Sequence, residues 1–222
     1  MSISLETPAR VEHSRGPRVV LAIESSGPGG AEHTLLHLAI ALRQRRIDPI
    51  VATLGPGWLT ERADHAGVET WIMPQAPGWS IGWIPRFAQR LAREQITLLH
   101  GHEFAMSCYA GSAARLARIP ALVTLHGRHW VARRRLRAWA YRGLDAVGVR
   151  IAAVSDDLAG FLADVSGLPR TSVAVIENGI PIAPALDPRE VAELRIAMRS
   201  QLGLDAHTPL LVAVGNLYPV KD

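Results

Sequence analysis

The fold is decided by residues 18–45, RVVLAIESSGPGGAEHTLLHLAIALRQR. This stretch opens with an apolar run at 18–23, which is typical of a strand buried on both faces of a sheet. A glycine-rich turn follows at 25–30, and apolar residues then recur at helical spacing over 31–46. A strand, a turn and a helix in this order predict the first half of a parallel βαβ unit.

The same alternation of strands and helices continues along the chain. Further strands are predicted at residues 48–53, 68–73, 97–100, 121–125, 148–154 and 171–176, and further helices at 83–94, 105–117, 130–143 and 156–165. The pattern predicts an α/β fold built on a Rossmann-like, doubly wound parallel sheet. In such sheets ligands bind outside the carboxyl ends of the strands, so each junction from a strand to a helix is a candidate site.

The chain is expected to have four parts. Residues 1–16 form a polar, disordered leader, residues 17–180 the Rossmann-like domain, and residues 181–208 a proline-containing linker with a helix at 189–202. Residues 209–222 contain the apolar run PLLVAVG, which predicts a strand that begins a second, truncated Rossmann-like domain. The alternative is that this strand pairs at the edge of the first sheet.

Composition excludes several classes of protein. The 24 Lys and Arg residues exceed the 20 Asp and Glu residues by only four, too few to indicate nucleic-acid binding. A content of 48% hydrophobic and 20% charged residues excludes disorder over most of the chain. A single cysteine, Cys108, excludes a disulfide framework and fits a reducing compartment. With no secretory signal and no apolar run of membrane-spanning length, a cytoplasmic protein is expected.

The glycine-rich turn is the first candidate site. Gly29 and Gly30 allow a ligand to approach the backbone, and the N-terminus of the following helix favours an anion through its free N–H groups and its dipole. The spacing matches neither the dinucleotide-binding nor the P-loop motif. The alternative is a plain tight turn.

Three further junctions carry polar residues. His102 and Glu103, in the sequence HGHE, indicate polar contacts in a cleft, with a metal site or a helix cap as the alternatives. His126 ends the next strand, where an imidazole is placed to hydrogen-bond or titrate near neutral pH, and a satisfied core histidine is the alternative. Asn178 follows the last strand and precedes a glycine, which by itself indicates only a turn.

The predicted helix 130–143 is the most strongly charged segment. Its Arg133, Arg134 and Arg137 accompany tryptophan and tyrosine residues, a combination that suits an anionic membrane surface or a phosphorylated substrate. The alternative is a solvated face whose aromatic side chains pack on the sheet. No other basic stripe accompanies this helix, so no nucleic-acid partner is expected.

Four blocks of the sequence together resemble family 4 glycosyltransferases, which are retaining enzymes with the GT-B fold. The blocks are GPGGAEHTLLHLAIALRQR (27–45), LLHGHEFAMSCYAGSAARLARIPALVTLHG (98–127), IAAVSDDLAGFLADVSGLPRTSVAVIENGI (151–180) and LLVAVGNLYPVKD (210–222). The first three resemble the N-terminal half of these enzymes, and the fourth resembles the opening of their C-terminal domain. The order and spacing of all four carry the resemblance.

The resemblance implies two Rossmann-like domains that face a cleft, the N-terminal one binding mainly the acceptor and the C-terminal one the nucleotide-sugar. By this resemblance Gly29 and Gly30 border the donor phosphates, and His126 lies beside the transferred sugar. Asn178 leads to the interdomain linker, and Lys221 meets the donor diphosphate.

The implied reaction is transfer of a hexose or similar sugar from a nucleotide-diphosphate sugar, with retention of configuration and without a metal or other cofactor. The acceptor would be a sugar or a lipid-linked sugar, as in synthesis of cell-envelope polysaccharide or glycolipid. His102 and Glu103 are assigned to the acceptor side of the cleft. The loop 75–83, with Trp79 and Trp83, is a candidate for contacting the acceptor.

The sequence departs from the family pattern in its last part. Asn216 stands where a basic residue is common in the family, and the pair of glutamates that marks the donor site is not found before Asp222. Little or no transferase activity is therefore expected of the isolated chain. The alternative from another class is a non-catalytic Rossmann-like module that binds a sugar, a phosphorylated lipid or a partner donor domain.

Overall fold

Parallel strands form one seven-stranded sheet in the computed structural model, which describes residues 16–74, 82–128, 131–132, 135–182 and 184–214. The strands are β1 (Arg18–Ala22), β2 (Asp48–Thr53), β3 (Glu69–Ile72), β4 (Leu98–His102), β5 (Ala121–Leu125), β6 (Arg150–Ala153) and β7 (Val173–Val175). Their order across the sheet is β3-β2-β1-β4-β5-β6-β7. The chain builds outward from β1 in one direction and from β4 in the other, so the topological switch point lies between these two strands.

Helices connect the strands, as the sequence predicts. They are α1 (Gly30–Gln44), α2 (Trp58–His65), α3 (Trp83–Arg93), α4 (Phe104–Leu116), α5 (Arg135–Ala146), α6 (Asp156–Ser166) and α7 (Pro188–Gln201). The bounds differ from the predicted ones by at most two residues, except that α5 begins five residues later and ends three residues later. The short helix α2 was not predicted, because its eight residues span too few turns for a helical period to show.

The residues of β1 show why the strand is an uninterrupted apolar run. Val19, Leu21 and Ile23 lie in the core formed with α1 and α2. Val20 and Ala22 lie in the larger core, which contains residues of α3, α4, α5 and α6. Successive side chains of a strand point to opposite faces, so both faces of β1 are covered by helices. The predicted doubly wound α/β fold is confirmed.

A buried arginine joins the elements at the amino end of the sheet. Arg18 is only 8% exposed, and its guanidinium donates to Asp48 on β2 (Nε to Oδ2, 3.0 Å) and to Glu69 on β3 (Nη2 to Oε2, 2.8 Å). Its Nη1 donates to the carbonyl oxygen of Glu94, just after α3, at 2.7 Å. These contacts lie opposite the carboxyl ends of the strands, so they support the fold and leave the candidate site free.

The chain divides into two units, Met1–Ile180 and Pro181–Asp222, and the sheet belongs to the first. In the second, α7 is present, but the strand predicted at 209–215 is wrong for residues 209–214, which form no strand and pair with no edge. Leu211 is 98% and Val214 97% exposed. An apolar run becomes a strand only where a neighbour completes its hydrogen bonds, and the described residues supply none.

Candidate functional site

The candidate site lies at the switch point, where β1, β4 and β5 end side by side. Ala22 of β1 is paired with Gly101 of β4, so the residues two positions further on, Glu24 and Glu103, follow neighbouring strands. His102 is paired with Thr124 of β5. Residues far apart in the sequence therefore meet at this edge of the sheet, as the rule for ligand sites in open parallel sheets predicts.

Glu103 has an unusual backbone conformation at the start of α4. Its φ of 63° and ψ of 175° fall in a region that glycine alone adopts without strain, which costs other residues on the order of 1–3 kcal/mol. Three hydrogen bonds hold it there. Its N–H donates to the carbonyl of Thr124 at 3.2 Å, and its carbonyl accepts from both the N–H and the hydroxyl of Ser107. Strained residues of this kind cluster at active and ligand-binding sites, which makes Glu103 a candidate functional residue.

Three carboxylates surround this corner of the site. The pKa of Glu103 is raised to about 7, mainly by burial and in addition by the nearby charges of Glu24 and Glu32. Burial also raises the pKa of Glu24, opposed by a hydrogen bond from the backbone N–H of Ala105 and by the charge of Arg137. Glu103 Oε2 is buried and has no hydrogen-bond partner within the described ranges. The cluster thus holds an acceptor oxygen that a hydroxyl group of a ligand can satisfy.

Three histidines line the neighbouring part of the site. His102 Nδ1 lies 2.9 Å from His126 Nε2, and their rings are stacked with centroids 5.1 Å apart. His100 Nε2 lies 2.8 Å from the hydroxyl oxygen of Thr124, and its ring lies 4.1 Å from that of His102. Alternate residues of a strand share a face, so β4 presents both of its histidines to the same side of the sheet.

These histidines are neutral at neutral pH. The pKa of His100 is lowered to about 4, mainly by burial and in addition by the nearby His126. Burial likewise lowers the pKa of His126 to about 4, with Glu32 opposing the shift, and it lowers that of His102 well below the usual value. His126 can therefore orient a hydroxyl group by hydrogen bonding, but it brings no positive charge to a phosphate.

The glycine-rich turn leads into α1, with Gly29 as the N-cap and Gly30 as the first helical residue. Glu32, buried in the first turn of α1, accepts a hydrogen bond from the Ser25 hydroxyl. A Cβ atom at position 29 would meet this carboxylate, whereas at position 30 it would meet open space. The positive end of the helix is thus already faced by a carboxylate, and a phosphate that binds there has to displace it.

The remaining predicted site residues are not part of this cluster. Asn178 is exposed beyond β7, two strands from β5, which at the usual spacing of strands is about 10 Å. Lys221 lies outside the described residues, as does Trp79 of the candidate acceptor loop. Trp83 is 2% exposed, and its indole N–H donates to the carbonyl of Met73, so it is a core residue.

The basic helix contributes to the site in a way that the sequence analysis did not predict. Arg133 and Arg134 lie outside the described residues. Arg137 of α5 lies over the ring of Phe104 at 5.1 Å and lowers the pKa of Glu24. The charge of Arg137 thus acts on the carboxylates of the site, and its predicted contact with an anionic membrane stays a prediction.

Glu24 and Glu32 are the site residues that sequence reasoning missed. Both had a signal in the sequence. Glu24 comes directly after the apolar run of β1, and this position is at the carboxyl end of the strand, where ligands bind in such sheets. Glu32 precedes Leu35, Leu36 and Ala39 by three, four and seven residues, which places it on the buried face of α1.

The described part of the chain contains no group of three or more histidine, cysteine, aspartate or glutamate side chains arranged to hold a metal ion. Within the same residues, no helix has the length and apolar character needed to cross a membrane.

Comparison with known proteins gives one family. The model of Glycosyltransferase Family 4 matches residues 28–183, which is more than half of the chain and contains the whole cluster except Glu24. No curated protein sequence matches the chain.

Solved structures share the fold at low sequence identity. The chain is similar to Alr3699/HepE from Anabaena, solved with UDP and glucose, at 20% identity and a TM-score of 0.67, covering 84% of this chain and 50% of that one. It is also similar to a glycosyltransferase from Rickettsia africae, at 16% identity and a TM-score of 0.68, covering 87% and 51%. A third is MurG from Acinetobacter baumannii, at 13% identity and a TM-score of 0.52, covering 78% and 50%. The chain thus spans about half the length of these proteins, and the likeness concerns the fold.

Proposed function

Because the chain belongs to glycosyltransferase family 4, as the match over residues 28–183 shows, we propose that it forms the acceptor side of a glycosyltransferase. The reaction is transfer of a sugar from a nucleotide-diphosphate donor to an acceptor. The observation that carries the proposal is the convergence of Glu103, His102 and His126 at the carboxyl ends of β4 and β5. In a doubly wound sheet this is the place where a ligand binds.

The geometry supports hydrogen bonding to sugar hydroxyl groups. Glu103 offers a buried, unpaired carboxylate oxygen, and His126 offers a neutral imidazole next to it along the sheet edge. Sugar hydroxyls donate and accept, so they match an acceptor oxygen together with an imidazole. In this proposal Glu103 and His102 belong to the acceptor side, and His126 orients a hydroxyl group of the transferred sugar.

The donor side of the proposal rests on the start of α1 and on residues outside the described ranges. Departure of a nucleoside diphosphate builds negative charge, which the N-terminus of α1 at Gly30 and a cation such as Lys221 would stabilise. The Glu32 carboxylate beside Gly29 opposes such binding until it moves. The support for a nucleotide-sugar donor is family membership, together with UDP and glucose in the similar Anabaena protein.

The finer parts of the proposal follow the family resemblance. They are retention of configuration, a hexose or similar sugar, a sugar or lipid-linked acceptor in cell-envelope, polysaccharide or glycolipid synthesis, and a cytoplasmic location. A closed cleft between two domains would protect the reacting sugar from water.

Peripheral contact with an anionic membrane is proposed through α5, which carries Arg137 together with two exposed apolar residues. Leu136 is 82% and Trp139 61% exposed, and they are three residues apart on one face of the helix. Exposed aromatic and aliphatic side chains next to arginines suit a lipid interface. Co-sedimentation with anionic liposomes is expected to weaken in a Leu136→Ser, Trp139→Ser variant; unchanged binding, or equal binding to neutral vesicles, would argue against it.

The experiment that tests the function uses the gene product read to its natural stop codon. It is incubated with UDP-, ADP-, GDP- and dTDP-sugars and with sugar and lipid-linked acceptors, and release of the nucleoside diphosphate is measured. Replacing His126 by Ala should lower the rate by about tenfold or more. Replacing the exposed His65 by Ala should leave it unchanged. Folded protein that releases no nucleoside diphosphate from any donor would overturn the proposal.

A further inference from the structure

The contact between His102 and His126 restricts how both imidazoles are protonated. The two rings face each other through His102 Nδ1 and His126 Nε2, 2.9 Å apart. The register of the sheet explains the contact: His102 is paired with Thr124, so His126, two residues further along β5, is its diagonal neighbour on the same face. At this distance one nitrogen has to donate and the other to accept.

Two arrangements satisfy the bond between neutral rings. If the proton of the bond belongs to His102 Nδ1, then His126 Nε2 is unprotonated. The proton of the neutral His126 ring is therefore on its Nδ1. If the proton of the bond belongs to His126 Nε2, then His102 Nδ1 is unprotonated, and the proton of the neutral His102 ring is on its Nε2. Each ring has one proton, because burial lowers both pKa values below neutrality. In both arrangements the two rings adopt the same tautomer, either both Nδ1–H or both Nε2–H.

The other nitrogen of each ring, which does not take part in the contact between the two histidines, is called its outer nitrogen. His102 Nε2 and His126 Nδ1 are both buried without a hydrogen-bond partner among the residues the structure describes. In the first arrangement His126 Nδ1 is a donor and His102 Nε2 an acceptor, and in the second these roles reverse. A buried nitrogen left unpaired costs about 1–3 kcal/mol, which a bound hydroxyl group recovers.

We propose that His102 is a positioning residue that sets the tautomer of His126, and so decides whether His126 meets a bound sugar as a hydrogen-bond donor or as an acceptor. The stack of His102 on His100, which is itself bonded to Thr124, keeps the His102 ring in place. Changing the tautomer requires one proton to leave at one outer nitrogen and one to arrive at the other. The role in sugar binding rests on the proposed function, but the coupling of the two rings does not.

The test is nitrogen NMR of the full chain labelled with ¹⁵N-histidine at pH 7.5, with each ring assigned by substitution. We expect His102 and His126 to show the same single tautomer in the unmodified protein. Opposite tautomers on the two rings would overturn the proposal, and this comparison needs no variant. The result stands apart from transferase activity, so failure of one can be distinguished from failure of the other.

A variant tests the direction of control. His102→Phe keeps a stacked ring but removes the hydrogen bond, so His126 should lose its single tautomer and show a mixture. A His126 spectrum that is the same in the Phe variant as in the unmodified protein would refute the role of His102. The spectrum of the exposed His65 serves as the internal control.

Discussion

The buried carboxyl of Glu103 allows the electrostatics of the site to be tested through protein stability. Its pKa rises from the ordinary value of 4.5 to about 7, because of burial and then because of the charges of Glu24 and Glu32. The folded protein therefore holds this proton up to a higher pH than the unfolded chain. The stability that Glu103 contributes is fully present below pH 4.5 and is lost as the pH rises through about 7.

The size of the effect follows from the two pKa values. The interval from 4.5 to about 7, at roughly 1.4 kcal/mol per pH unit, corresponds to about 3 kcal/mol in the free energy of unfolding. About 2.5 kcal/mol of this loss falls between pH 5 and 8. Replacing Glu103 by Gln keeps the shape of the protonated carboxyl but cannot ionise, so the variant should not lose this stability.

The measurement is urea unfolding of the wild-type protein and of the Glu103→Gln variant at several pH values from 5 to 8, with the free energy extrapolated to water. The difference between the two proteins should move by about 2.5 kcal/mol in favour of the variant as the pH rises. All other titrating groups are common to both proteins, so their contributions to the pH dependence of the unfolding free energy largely cancel in the difference. The matched control is Glu177→Gln, the same substitution at an exposed glutamate beyond β7, measured over the same pH range. A constant difference for Glu103→Gln would refute the reasoning.

Three further predictions concern the same framework. Glu103→Gly should be more stable than Glu103→Ala by about 1 kcal/mol, because glycine alone adopts φ 63° and ψ 175° without strain; equal urea midpoints would contradict this. Arg18→Met should cost about 1–2 kcal/mol by removing the hydrogen bonds of a buried guanidinium to two partly exposed carboxylates, whereas Arg93→Met, at an exposed pair, should change stability by about 0.5 kcal/mol or less in the same assay. The pKa values of His100 and His126 fall from 6.5 to about 4, so their stabilising effect is present above pH 6.5 and lost as the pH falls through 4, about 3 kcal/mol each. The free energy of unfolding between pH 6.5 and 4 should therefore drop less in His126→Gln than in the wild-type protein, and parallel curves would count against it.

Local sequence patterns were sufficient for most of the secondary structure. A strand covered on both faces has an apolar run in its sequence, and a helix that packs on a sheet has apolar residues at helical spacing. Both patterns can be recognised within a few neighbouring residues. The strand at 48–53 is found with its predicted bounds. The apolar run at 209–214 failed as a predictor because a strand also needs a partner, which no local pattern specifies.

The candidate site could be predicted only in part. His102, Glu103 and His126 were identified because each stands at or just beyond the end of a buried strand. Glu24 and Glu32 were missed because their importance comes from closeness to Glu103, which the pairing of β1 with β4 creates. Membership of a glycosyltransferase family was recognisable from the order and spacing of sequence blocks. These blocks extend over most of the chain, so recognising them does not require knowledge of any tertiary contact.

The sequence by itself determined the α/β class, the alternation of elements, the family and the edge of the sheet where the candidate site lies. These follow from the period of apolar residues and from the rule that helices follow the carboxyl ends of parallel strands. Only the tertiary structure decided that Arg137 turns toward Glu24, that His102 bonds to His126, and which groups are neutral at neutral pH. The physical reason is that burial and charge–charge interaction depend on distances between residues far apart in the chain, which strand order and register fix.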